Sequence, residues 1–316
     1  AVAAALYDLD AFLALMLGVT VVLAGTGRVA GALFQSRGRF GFSLFLIQIH
    51  NWVLLASVPI VLLFRRPFAE LVTAVILCSY LATSVLGWRL AARLPRDGTQ
   101  PAYNRAFMLE ALSAAGLALS SNIFFQIDRL VIGRALSLED LARYSIVAAI
   151  AGSAFRMLQT GAGYSLTPRL RACSNRAQAL VLIRHEAALV FAMGAIAALV
   201  VVMVTPWLIE RFLAGRYSIP GGLIAVVIAT GFIRIGEAFA ASVVVARGSA
   251  RQLSLLNHSG WFALALALVC AWVARPFGLV GVVAGLGAGW LALALAASTL
   301  AAHVMRDLGS TPSTPA

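Results

Sequence analysis

Apolar stretches of twenty or more residues recur along this chain at intervals of about 30 residues, with little sequence between them. They run 11–33, 41–63, 68–88, 106–128, 144–167, 185–206, 220–246, 254–274 and 278–302, each bounded by Arg, Pro or polar residues. A hydrocarbon layer about 30 Å thick takes about 20 apolar residues of helix to cross. Backbone groups in lipid must be hydrogen-bonded within the segment, and these segments are too long and too continuously apolar for barrel strands, so they read as helices. The predicted fold class is therefore all-α, a polytopic membrane helical bundle with about nine transmembrane helices. With 61% hydrophobic residues, 11% charged and a mean hydropathy of +0.93, the chain lacks the polar surface of a soluble domain.

A net charge of +12 would suggest nucleic acid as a partner in a soluble protein. Here all 24 basic residues are Arg and most lie in short connections, the pattern of positive-inside retention, so the expected partner is a lipid bilayer and no nucleic acid. Alternate connections carry unequal charge: 13 Arg fall on the odd connections and the C-terminal tail, 8 on the even ones. This predicts a cytoplasmic C-terminus and an N-terminus outside. The chain begins Ala1–Val2–Ala3–Ala4, without an initiator Met or a signal peptide, and so reads as a piece that lacks an odd number of preceding spans. Three scattered cysteines and four isolated histidines give no metal-ligand spacing. No Ser/His/Asp set, paired catalytic carboxylates or phosphate loop is visible, so no catalytic residue, metal or cofactor is assigned.

Polar groups inside spans are costly, and they mark cavities or packed interiors. Arg156 shares a face with Gly152, Gln159 and Gly163, suited to meeting a phosphate or to snorkelling and pairing. Arg234 and Glu237 are three residues apart, placed either to line a cavity or to neutralise each other. Arg28 lies near one end of the first span and reads as interfacial. The fourth span carries Glu110 at its start, and Asn122, Gln126 and Arg129 on one face, with Asp128 beside them as an ion-pairing, capping or coupling group. Gly281, Gly285 and Gly289 form a stripe that lets another helix approach closely.

The run Asn122–Ile123–Phe124–Phe125–Gln126–Ile127–Asp128–Arg129–Leu130–Val131–Ile132–Gly133, followed by Leu136 to Tyr144, resembles the bacterial O-antigen and capsular polysaccharide flippase family, part of the multidrug/oligosaccharidyl-lipid/polysaccharide exporter superfamily. Tyr164 to Pro168, and Gln35–Ser36–Arg37–Gly38–Arg39–Phe40, are similar to that family too. The resemblance implies two six-helix lobes around a cavity, the first incomplete here. Residues 1–90 would be a three-helix remnant of it, 91–105 a cytoplasmic linker, 106–304 the six-helix second lobe and 305–316 a disordered cytoplasmic tail.

The function so implied is transport of undecaprenyl-pyrophosphate-linked oligosaccharide repeat units across the bacterial inner membrane by alternating access, not an enzymatic reaction. Arg156, Arg234, Arg28, Gln159 and Gln126 would contact the anionic lipid-linked oligosaccharide, and Asp128, Glu110 and Glu237 would serve as coupling groups or structural ion pairs. Other polysaccharide-assembly proteins are further candidate partners. Three alternatives stay open: a cation-coupled exporter of the multidrug-and-toxin extrusion type, an integral membrane enzyme of polysaccharide assembly, and a non-transporting scaffold within a polysaccharide-assembly complex.

Overall fold

The computed structural model describes residues 10–63, 69–94, 105–213 and 218–310. Among them the chain forms nine α-helices, one short 3-10 turn and no strand. The helices are α1 (Ala11–Ser36), α2 (Phe40–Leu63), α3 (Ala69–Ala91), α4 (Arg105–Ala135), α5 (Leu138–Ala172), α6 (Arg176–Leu213), α7 (Gly221–Arg247), α8 (Ala250–Val273) and α9 (Gly278–Ser310). Seven of them, all except α2 and α4, are long and apolar enough to cross a membrane. Among the described side chains the apolar stretch of α2 covers Gly41–Ser57, and α4 carries Asp128, Arg129 and Arg134 in its last turns.

The helices overrun the apolar stretches that announce them. The connection read as 168–184 shrinks to Cys173–Ser174–Asn175, because α5 continues to Ala172 and α6 begins at Arg176. Polar and basic residues propagate a helix well outside hydrocarbon, so apolarity marks the span and not the helix. The same holds at the C-terminus, where α9 runs to Ser310 through residues that the sequence reading assigns to a disordered tail. Residues 311–316, and 95–104 of the expected linker, lie outside the described residues.

The chain divides into two compact units, 1–101 and 102–316. In the first, α1 packs on both α2 and α3. The turn from α1 to α2 passes through Gly38 at φ 71°, a left-handed conformation that suits glycine. Thr26 on α1 and Ser84 on α3 share a hydrogen bond of 2.7 Å, and Gly27 and Gly87 let those helices approach.

In the second unit α9 is central, packing on α7 and α8 and touching α4 and α6. Its inward face carries Val282, Leu286, Leu293 and Ala297, with Val283 and Trp290 beside them, all buried. The glycine stripe sits against α8: a methyl group on Gly285 would lie 2.6 Å from the Ala271 backbone nitrogen. The expected close approach is thus the α8–α9 contact.

At the end of α5, Arg247 of α7 closes the helix. Its Nε donates to the Leu170 carbonyl at 2.9 Å, and its Nη2 donates to the carbonyls of Arg171, also at 2.9 Å, and Cys173. Arg171 returns a bond to the Val245 carbonyl at 3.3 Å. The last carbonyls of a helix have no partner within it, so a cation placed there satisfies them and complements the helix dipole. Hydrogen bonds from a charged donor are worth about 1.5–3 kcal/mol. Replacing Arg247 by Ala is expected to lower stability by about 2 kcal/mol in denaturant unfolding of the nanodisc-embedded protein, with Arg247→Lys keeping part of the loss in hand.

Candidate functional site

A cleft opens between α4, α5, α7 and α9 in the second unit, lined among others by Phe125, Asp128, Arg129, Arg156, Arg234 and Trp290. Three of these are cations, and Asp128 is the one carboxylate of the lining. The cleft is narrow, about 40 Å³, room for a few ordered waters.

Each charged side chain reaches the cleft for a local reason. Asp128 and Phe125 are three residues apart on α4, and Arg156 and Gly152 four apart on α5, so each pair shares a face. Gly231 on α7 receives the Phe155 ring so closely that a methyl group there would collide with it, which brings α5 and α7 together just where Arg156 and Arg234 emerge. A methyl group on Gly287 of α9 would lie 2.8 Å from the Thr230 hydroxyl of α7.

The guanidiniums are held by aromatic faces. Arg234 lies 4.6 Å from the centroid of Trp290 and 5.4 Å from that of Phe125. Arg156 lies 5.5 Å from the same Phe125 ring. Trp290 is in turn packed on Phe124, with centroids 4.2 Å apart. Among the described residues neither Arg156 nor Arg234 is ion-paired, and the Arg234 Nε is buried without a hydrogen-bond partner. The pairing of Arg234 with Glu237 that the spacing allows is not made: one cation turns to the rings and the carboxylate turns to α5.

Asp128 is buried and accepts two hydrogen bonds, one from the Tyr144 hydroxyl across the α4–α5 turn and one from the Arg129 backbone N–H at 2.8 Å. Tyr144 itself is buried. The turn that brings them together is capped by Ser137, whose hydroxyl oxygen accepts from the Asp140 N–H at 3.1 Å, and Arg143 pairs with Glu139 at 2.6 Å one turn further on.

One turn along both helices from the Arg pair, Gln159 and Glu237 face each other, with Gln159 Nε2 donating to Glu237 Oε2 at 3.5 Å. The remaining expected site residues are elsewhere. Gln126 is exposed and outside the cleft lining, one position from Phe125 and so about 100° round the helix. Arg28 is an exposed residue of the first unit. Glu110 belongs to α4, and its side chain lies outside the described residues. Phe125, Trp290 and Tyr144 are site residues that the sequence reading does not assign. Among the described residues no group of three metal-ligating side chains occurs.

No family model matches the chain, and neither a curated protein nor a solved structure does.

Losing a hydrogen bond to a buried carboxylate costs about 1–3 kcal/mol. Tyr144→Phe and Asp128→Asn should each destabilise the protein by about that much in denaturant unfolding. The double variant should lose less than the sum, because both changes remove one interaction; strict additivity would show that the two groups act independently.

Proposed function

We propose that this protein is a multi-pass transporter of an anionic, pyrophosphate-linked lipid oligosaccharide, working by alternating access. In this reading all nine helices span the bilayer, as three plus six in two lobes, with the C-terminus in the cytoplasm of a bacterial inner membrane. The observation that supports it is the cleft of the second unit, where Arg129, Arg156 and Arg234 meet a single carboxylate. A guanidinium in the middle of a membrane helix is costly, about 2.5–3.5 kcal/mol by insertion scales, and is usually spent on a conduction or binding route. Arg156 and Arg234 are held on rings and not on carboxylates, which leaves their N–H edges for an incoming acceptor.

Phosphate oxygens are the acceptors that a planar guanidinium fork fits best. A cleft of about 40 Å³ accepts no sugar, so the saccharide and lipid would pass only when α5 and α7 part. Alternating access around a site near the bilayer midplane, with one bundle moving against another, is the general design of secondary transporters. The exporter alternative would require cation recognition, against which a lining of three Arg and one Asp argues.

The test is translocation of a fluorescent polyprenyl-pyrophosphate oligosaccharide in proteoliposomes. Arg156→Ala and Arg234→Ala should each slow it at least about tenfold, with Arg→Lys variants intermediate because the point charge survives and the bidentate fork does not. Undiminished translocation by both alanine variants would remove the site, and transport of a neutral or cationic lipid in preference would remove the cargo class.

A further inference from the structure

We propose that Gln159 and Glu237 form a binding site for one positive charge, H⁺ or Na⁺, and that filling it favours an anion in the neighbouring cleft. Glu237 is 7% exposed on a helix apolar enough to cross a membrane, and Gln159 on α5 is 8% exposed. Their mutual contact, 3.5 Å from amide nitrogen to carboxylate, is a long one. Among the described residues it is the one side-chain hydrogen bond of Glu237, although a carboxylate offers about four acceptor sites. Gln159 Oε1 is buried without a partner. Two oxygen-bearing groups on facing helices are thus both short of a donor or a cation.

The charged surroundings do not supply one. On α7 itself Arg234 is near enough for its field to reach Glu237, but it is seated on Phe125 and Trp290 and makes no ion pair. From α5 the nearest cation is Arg156, turned to Phe125. From α6 and α9, the stretches 187–209 and 278–302 contain no titratable side chain. On α8, His258 is exposed and bonded to the Ser254 carbonyl. A water could donate to both oxygens, yet it would leave a whole negative charge uncompensated in the membrane interior, which is the costly part. A proton or a small cation satisfies the oxygens and the charge together.

The coupling follows from position. Gln159 and Glu237 are each three residues from a cleft Arg, so they sit one turn along the same two helix faces. A negative charge at Glu237 opposes an anion between Arg156 and Arg234, and neutralising it removes that opposition. Linkage then requires the anion to raise the affinity of the cation by the same factor. This second half rests on the anionic cleft proposed above; the cation site does not.

The experiment uses the full chain in lipid nanodiscs, with two readouts: equilibrium binding of radiolabelled sodium, and the infrared carbonyl band of a protonated carboxyl group. One sodium per chain or one such band is expected, absent from Glu237→Gln, weakened in Glu237→Asp and retained in Glu139→Gln. Glu237→Gln keeps shape and hydrogen-bonding capacity, and unchanged thermal unfolding will show that it folds. Which readout responds tells proton from sodium; neither responding, or a signal that persists in Glu237→Gln, overturns the site. Inorganic pyrophosphate should then raise the affinity for the cation about tenfold in the parent and not in Arg156→Ala. A Glu237 signal indifferent to pyrophosphate would sink the coupling and count against the anionic cleft, while the cation site stood.

Discussion

A guanidinium placed inside a helical bundle in lipid has to be solvated by the protein, and in the second unit that demand organises four helices. Arg234 projects from α7 and is taken up by Trp290 of α9 and Phe125 of α4, and Phe125 also receives Arg156 of α5. A desolvated cation–π contact is worth about 2 kcal/mol or more, so two rings offset most or all of an insertion cost of about 2.5–3.5 kcal/mol. The rings cannot leave without stranding the charge. Trp290 is further fixed by Phe124, so the position of α4 against α9 is tied to the same contact. Had carboxylates done this work, the cations would be neutralised and unable to attract a second partner.

The rest of the unit is arranged around that polar centre by close backbone contact. Gly285 and Gly289 bring α9 against α8, Gly287 brings it against Thr230 of α7, and Gly231 takes the Phe155 ring from α5. At the end of α5 the contact with α7 changes character, from apolar packing to the reciprocal bonds of Arg247 and Arg171 with main-chain carbonyls. One helix pair is therefore joined by charge-assisted bonds at one end and lined by unpaired charge further along. Both depend on α7 carrying Arg residues at 234 and 247, one turned to rings and one to carbonyls.

Much of this was legible in the sequence, because lipid is a strict solvent. Nine apolar segments correspond to nine helices among the described residues, seven of them long and apolar enough to cross a membrane, where a backbone has few other ways to satisfy itself. Helix ends were not legible, as the overrun of α5, α6 and α9 shows, because nothing in helix propensity stops at the membrane surface. Arg156, Arg234 and Asp128 stood out as charges in apolar context, and they do converge. Phe125, Tyr144 and Trp290 did not, because an aromatic residue on a membrane helix looks the same whether it faces lipid, core or a guanidinium. Gln126 shows why: of the polar stripe through Asn122, Gln126 and Arg129 only Arg129 lines the cleft, which takes Phe125 and Asp128 from the neighbouring face. Hydrogen-bonding capacity marks a site only where its partners are hydrogen-bonding groups.

Among the described residues two carboxylates of the unit are buried, and they differ in what surrounds them. Asp128 has donors assigned to it, the Tyr144 hydroxyl and the Arg129 N–H, and it lies in the wall of a cleft that contains three cations. A charge so supplied is part of the architecture, and it holds α4 to the start of α5. Glu237 has one distant amide and no ion pair among the described residues, and the amide that meets it has an oxygen with nothing to accept. Burial of a charge without compensation is costly, most of all inside a membrane. Within one helical bundle the same functional group thus acts as a fixed brace at Asp128 and as an unfinished contact at Glu237, one helical turn from the cations whose guests it would affect.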